Sequence, residues 1–456
     1  MIQPDVLKSN IISNDALIVS YKHNSKRTSY AEGYSYSYWR HRILLSIIAG
    51  YAAFYLVRQN FTMAIPYLQS ELGYTKAEIG MIISTGAILY GLGKGLAGLL
   101  GDRSNARYLM SAGLFCSAIV SFFLGLSTSW WMLLALYTLN MSFQSMGWPP
   151  CARLLTHWFS PKEIATKWAM WNSSQQIGAA IVMIVSPYIM ASYGWRFVFF
   201  VPGVFCAFFA IFLLNRLRDT PESLGLPAIE AHHGLVEAHE IDDSKLTTKE
   251  IFQQVVGNKL VWYMCFANFF VYIVRMFVFT WAPTFLSEFK GSSLKLAGWQ
   301  TAMFDLTGIF GGIIAGYLSD KVFEGRRGRV GFLFMLALSV SVLFLWKAPV
   351  DQKWQHFLGM MLIGFLVTGP QILVGVAAAD FASKKAAGAA SGLTGTVGYL
   401  GTAVAGVGVG LIVDNYGWDS AFATIAVCAV LSSFFFALTW NHRAKVLDKQ
   451  SQSQDM

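Results

Sequence analysis

The sequence predicts an all-α membrane protein, with twelve transmembrane helices arranged as two pseudo-symmetric six-helix bundles. Three observations predict it. The 456 residues are 55% hydrophobic and only 13% charged, where a soluble domain carries about 25% charged residues. One long polar stretch, 217–259, divides the apolar spans six and six. Landmarks of the first half recur in the second at an offset near 218 residues, the mark of an internal repeat.

The spans are read from runs of about 20 apolar residues, the length a helix needs to cross the hydrocarbon core. They lie at 43–67, 77–100, 107–127, 131–155, 165–191, 195–216, 260–287, 296–319, 330–349, 354–381, 387–413 and 418–440. The chain therefore divides into an N-terminal segment (1–41), a first bundle (42–216), a linker (217–259), a second bundle (260–441) and a tail (442–456). Within the linker, TTKEIFQQVV has the pattern of a short amphipathic surface helix. Residues 1–40 are polar and carry no apolar core followed by a small-residue cleavage site, so no secretory signal is expected.

The net charge of +9 is a topology signal, not a nucleic-acid footprint. Of 34 Lys and Arg, 25 fall on the side shared by both termini, six on the other side and three within spans. Such a bias places the termini in the cytoplasm, which an even number of crossings satisfies. The five cysteines (Cys116, Cys151, Cys206, Cys265, Cys428) lie in or beside apolar spans without a CxxC pair, so no disulfide, metal site or cofactor is expected. No paired carboxylates, His/Asp cluster or nucleophile–base spacing occurs in the spans, which argues against an enzyme.

The repeat aligns chemistry as well as hydropathy. Arg58 in YLVRQNF pairs with Arg275 in YIVRMFV, each about mid-span. An arginine there costs roughly 2.5–3.5 kcal/mol on insertion scales, so it calls for an anion or a wet cavity. Neither has a carboxylate within a helical turn, and the simplest partner is an anionic substrate. GLLGDRSNAR (Gly98, Asp102, Arg103, Arg107) pairs with GYLSDKVFEGRRGR (Gly316, Asp320, Lys321), Pro150 with Pro370, and SYGW at 192–195 with NYGW at 415–418. Both halves start on the same side, so the repeats are parallel and the two arginines face each other across a central pathway. The Gly-x-x-x-Asp motifs are expected to latch the bundles, the glycine admitting a neighbouring helix and the Asp pairing with cations or capping a helix.

The duplicated twelve-span layout with G-x-x-x-D-R-x-x-x-R resembles the major facilitator superfamily. YAAFYLVRQNFTMAIPYL, YGLGKGLAGLLGDRSNAR, GWPPCARLLTHWFSPKE, RDTPESLGLP, LSDKVFEGRRG and KKAAGAASGLTGTVGYLG resemble its organophosphate:phosphate antiporters more closely. That group comprises bacterial glycerol-3-phosphate and hexose-phosphate transporters and a hexose-phosphate sensor, and the likeness runs from about residue 40 to 440. It implies the bacterial inner membrane, alternating access, and a phosphorylated sugar or polyol exchanged for inorganic phosphate. Arg58 and Arg275 match the two phosphate-binding arginines, for which a bidentate, permanently charged guanidinium is suited.

Further residues join this candidate site. Lys94 either supplies a third positive contact, as the matching family lysine does, or snorkels toward the surface near Asp102. Asp305, the one acidic residue well inside a span, pairs with Lys94 or an arginine in the empty state and is displaced by substrate, or less simply relays a proton. Tyr51 and Tyr55 share a helical face with Arg58, Tyr90 precedes Lys94 by four and Tyr272 precedes Arg275 by three; these rings either line the pathway or simply pack helices. Trp148, Trp171 and Tyr399 match family pocket or gate positions. Two positions depart from the family pattern: Gln59 replaces the lysine that follows the first arginine, and Gln175 replaces a histidine in W-N-x-x-H-N. The pocket is accordingly less positive and less sensitive to pH near 6–7, and its amides can bond sugar or polyol hydroxyls.

Two functional readings stand: a carrier, or a membrane sensor of hexose phosphate that signals to a partner kinase. The topology is directly testable. A reporter active only in the cytoplasm, fused at the C-terminus, should be active, and the same reporter inserted between Ser127 and Ser129 should be silent.

Overall fold

Lipid offers backbone groups no partner, so a chain this apolar closes its hydrogen bonds within helices. The computed structural model of the protein describes residues 36–103, 105–160, 163–227, 229, 253–382 and 386–442, the side chains of 94–103 and 165 excepted. Its regular structure there is helical. In order come α1 (Tyr36–Ser70, with a turn at 57–59), α2 (Lys76–Arg103), α3 (Ala106–Leu126), α4 in two pieces (Trp130–Gln144 and Trp148–Trp158), α5 (Ile164–Tyr193) and α6 (Phe197–Arg216). The second half has α7 (Lys259–Glu288), α8 (Leu294–Tyr317), α9 (Arg327–Lys347) and α10 (Lys353–Phe381). It ends in a run, Ala387–Ala437, that Gly417 (φ 77°, ψ 176°) divides into α11 and α12.

Nine helices among the described residues are long and apolar enough to cross a membrane. With α2, the broken α4 and the two limbs around Gly417, this is consistent with twelve crossings. Of the expected tails, 1–35 and 443–456 lie outside the described residues, as does most of the linker; of the expected surface helix, 253–256 are helical.

The repeat is visible in hydrogen bonds that spacing alone did not reveal. Gly194 and Gly417, the glycines of SYGW and NYGW, both take positive φ (92° and 77°). The tryptophan after each ties its half together: Trp195 Nε1 donates to Glu71 at 2.7 Å, and Trp418 Nε1 donates to Glu288 at 3.2 Å. Glu71 follows α1 and Glu288 ends α7, so the same clamp recurs in both halves.

Outward faces are what lipid requires. Phe205, Phe208, Ile211 and Phe212 of α6 and Phe115, Ile119, Phe122 and Phe123 of α3 are all exposed, a continuous apolar surface that water would not tolerate. α1 and α7 lie innermost; Val271 and the residues from Ile273 to Leu286 of α7 are buried almost without interruption.

The two halves meet through α2 against α11, α5 against α8, and α1 against α7. Between described residues, the hydrogen bonds and ion pairs that cross from half to half sit at mid-depth or on the face away from the termini. Gln59 Nε2 donates to the Phe279 carbonyl at 2.6 Å, Ser84 Oγ donates to the Ala403 carbonyl at 2.5 Å, and the Val407 amide donates to Ser84 Oγ at 2.8 Å. At the surface, the Asp414 carboxylate accepts from the Ala77 amide at 2.7 Å, where acceptors suit a helix N-terminus, and Lys76 pairs with Glu288 at 3.0 Å. The molecule is thus sealed at the face opposite its termini.

The described residues of the Gly-x-x-x-Asp motifs make their polar contacts inside each half. Asp320 pairs at 3.0 Å with Arg327, which also binds Asp380, all within the second half. Arg107 donates to the Leu214 carbonyl within the first. Lys321 is exposed, and a Cβ on Gly316 would meet nothing within 4 Å. These residues sit on the face opposite the seal. The side chains of Gly98, Asp102 and Arg103 lie outside the described residues.

Close backbone approach occurs on the sealed face instead, where a Cβ on Gly80 would lie 2.3 Å from the Gly406 carbonyl oxygen. Gly80→Val should therefore prevent closure there. An impermeant maleimide applied from that face should then label Ile83→Cys several-fold faster than in the Gly80 background; unchanged labelling would show that the glycine pair does not set the seal.

Candidate functional site

The site begins with a broken helix. α1 turns at 57–59, leaving the Val57 carbonyl without its helical donor, and Asn140 Nδ2 of α4 supplies one at 2.8 Å. Gln144 Nε2 likewise reaches the Phe54 carbonyl at 3.1 Å and Ser117 Oγ at 2.8 Å, while Ser117 donates to Asn140 Oδ1. Unsatisfied carbonyls are costly in an apolar interior, so these two amides fix the turn, and the turn carries Arg58.

The Arg58 guanidinium has no hydrogen-bond or ion-pair partner among the described residues. Its guanidinium carbon lies 4.3 Å from the Tyr90 ring centroid and 5.4 Å from that of Tyr55, a cation–π cradle that leaves its N–H groups available. Arg275 sits in unbroken helix and is 5% exposed. Its Nη1 donates to Gln371 Oε1, its carbon lies 5.6 Å from the Phe279 ring, and its Nε is buried without a partner. The two arginines are related by the repeat but not by environment.

Rings and amides join them. Tyr272 accepts from Gln371 Nε2 at 3.4 Å and packs 5.7 Å from Tyr399; Tyr399 packs 5.2 Å from Tyr90, which lies under Arg58. On the other flank, Tyr55 donates to Gln175 Oε1 at 3.0 Å, and Tyr51 packs 5.6 Å from Tyr55 and 4.9 Å from Trp171. Trp171 is fully buried, so it backs Tyr51, with Trp148 6.2 Å behind it. The structure thus brings together Arg58, Arg275, Tyr51, Tyr55, Tyr90, Tyr272, Tyr399 and Gln175.

Three expectations fare differently. Gln59 is 2% exposed and bonded to Phe279 across the halves, so in this conformation its amide serves the seal and not a sugar hydroxyl. Asp305 is 2% exposed and both carboxyl oxygens lack a hydrogen-bond partner, which corrects the expected ion pair with an arginine: Arg275 is turned to Gln371 instead. The Lys94 side chain lies outside the described residues. Sequence reasoning missed Gln371 and Asn140, polar residues in apolar spans whose neighbours only the fold supplies. It also missed a cavity of about 30 Å³ shared by both halves beyond Arg58, bordered by Gln59, Thr62, Thr280 and Thr402, room for a water or two.

Paired cationic anchors on two symmetric halves, sealed toward one face of the membrane, define a membrane carrier architecture. The chain belongs to the Major Facilitator Superfamily, whose model matches residues 47–406. It is 41% identical over 429 residues to a probable hexose phosphate transport protein of Chlamydia trachomatis, covering 91% of this chain and 94% of that one. It is 41% identical to the glycerol-3-phosphate transporter of Bacillus subtilis (89% and 94% covered) and 39% identical to the membrane sensor protein UhpC of Escherichia coli (87% and 91%). The fold is also that of a bacterial homolog of the human lysosomal transporter Spinster in an inward-facing, occupied conformation, with a TM-score of 0.68 at 17% identity, covering 88% of this chain and 97% of that one.

Replacing Asn140 by Ala should orphan the Val57 carbonyl at a cost of about 1–3 kcal/mol. The detergent-solubilised variant should unfold several degrees lower than the parent; an unchanged unfolding temperature would mean that α1 holds its turn without α4.

Proposed function

We propose that this protein is a bacterial inner-membrane carrier, with both termini cytoplasmic, that exchanges a phosphorylated sugar or polyol for inorganic phosphate by alternating access. The observation that carries this reading is Arg58: a guanidinium at mid-depth in the bundle, with no anionic partner among the described residues and its symmetry mate Arg275 on the opposite half. The names of the relatives support an organophosphate as the anion. With the termini cytoplasmic, the sealed face is the outer one.

The mechanism follows from charge. A phosphate spanning Arg58 and Arg275 makes charge-assisted, bidentate hydrogen bonds to both halves. It converts the repulsion between two poorly solvated cations into attraction. The loaded halves can then rock about the site, whereas the empty carrier pays for drawing the arginines together. Obligatory exchange results without a coupling ion. On this reading the wall is Tyr51, Tyr55, Tyr90 and Gln175 around Arg58 and Tyr272 near Arg275, with Tyr399 between Tyr90 and Tyr272.

Proteoliposomes loaded with inorganic phosphate should take up labelled glycerol 3-phosphate or hexose 6-phosphate. Arg58→Lys and Arg275→Lys should each lower uptake by roughly thirtyfold, the loss of one hydrogen bond to a charged group of about 2 kcal/mol. Equal uptake into phosphate-free liposomes would refute exchange. The identity to a sensor supports a second reading, in which the protein binds a hexose phosphate and informs a partner kinase; saturable binding with no flux in the same liposomes would select it.

A further inference from the structure

We propose that Gln371 is the specificity-determining residue that separates organophosphate from inorganic phosphate at this site; the inference rests on the carrier reading above. The two arginines differ in what a phosphate must displace. Arg58 offers its N–H groups outright, held between the rings of Tyr55 and Tyr90. Arg275 has one Nη committed to Gln371 Oε1 and its Nε buried without a partner. An arriving phosphate therefore engages Arg58 first; with Nε of Arg275 buried, the fork open to it there is the Nη1–Nη2 pair, and it takes the Nη1 that Gln371 now holds.

The displaced amide does not become idle. Gln371 follows Pro370 on α10 and is only half-buried, in contrast to Arg275. Its Nε2 is held by Tyr272 at 3.4 Å, the far limit of a hydrogen bond. Once Nη1 turns to phosphate, Oε1 needs a donor and Nε2 is free to find a better acceptor, because leaving a half-buried amide unpaired is costly. A hydroxyl on the carbon skeleton of an organophosphate provides both functions. A free phosphate ion, wholly held by the two guanidinium groups, leaves the amide stranded. Gln371 thus taxes inorganic phosphate and rewards the organic ester, which an exchanger needs if it is to release phosphate and retain its cargo.

The test compares two constants in proteoliposomes carrying the full chain: the apparent affinity for inorganic phosphate in phosphate self-exchange, and that for glycerol 3-phosphate and glucose 6-phosphate as competitors. Gln371→Met removes the amide at similar volume. It should leave phosphate affinity unchanged or raise it a few-fold, and weaken the organophosphates by roughly tenfold, the worth of about one hydrogen bond. Gln371→Glu, equal in size, should fix Arg275 in an ion pair and weaken all three ligands. If Gln371→Met weakens phosphate and organophosphates equally, or alters neither, the inference is overturned; so it is if Gln371→Glu leaves phosphate affinity intact. Failure of the carrier reading looks different: phosphate would then not compete in the parent protein, and Arg275→Lys would have no effect.

Discussion

The structure is organised around the cost of holding a guanidinium in a medium that cannot solvate it. Two arginines at mid-depth carry that cost, and each half meets it in its own way. The first half turns α1 open at 57–59, repairs the exposed carbonyls with Asn140 and Gln144, and lays Arg58 on tyrosine faces. The second keeps α7 intact and gives Arg275 a neutral acceptor, Gln371. Neither solution supplies an anion among the described residues, so charge compensation is left to whatever enters. A buried carboxylate against either arginine would have stabilised the empty state and raised the cost of loading it. Asp305, buried nearby on α8 with no hydrogen-bond partner, shows that a carboxylate was available to the fold and is not used that way.

Rigid halves are the second requirement, since the arginines must move as parts of two bodies. The repeated clamp from Trp195 to Glu71 and from Trp418 to Glu288 fixes the far ends of α1 and α7 to the helices that follow Gly194 and Gly417. Glu288 does double duty: it also holds Lys76 of the first half. A strut inside one half is therefore also the anchor of the seal between halves, so breaking the seal frees Glu288 without loosening α7 from Trp418. The seal is made of polar and glycine-to-backbone contacts with ring contacts such as Tyr55 on Phe279, whereas each half is held internally by its tryptophan clamp. This is the division expected of bistable packing.

Much of this was legible in the sequence because it depends on period and symmetry. Hydropathy located the spans, and the offset near 218 paired Arg58 with Arg275 and SYGW with NYGW before any coordinate was known. What sequence could not supply was which polar residue meets which. Gln371 and Asn140 are single amides in apolar helices, unremarked by spacing because their partners lie 96 and 83 residues away. The Gly-x-x-x-Asp motifs show the same limit. The partners seen for Asp320 and Arg107, Arg327 and the Leu214 carbonyl, lie within the same half. A sequence records one chain, whereas the contacts between halves belong to one state among at least two.

Gln59 shows how far a single departure reaches. A lysine in its place beside Arg58 would add a second cation at mid-depth, whose desolvation would oppose closure of the empty carrier. The amide present here does the reverse: it donates to the Phe279 carbonyl, one turn beyond Arg275 on the other half, and so joins α1 to α7 at the level of the site itself. Closure on the far side is thereby coupled by two adjacent residues to the state of the anchor. In the proposed exchange Arg58 meets the incoming anion, and the next residue along the same turn is part of what must release for the opposite face to open. In this chain the site and the seal are consecutive residues of one interrupted helix.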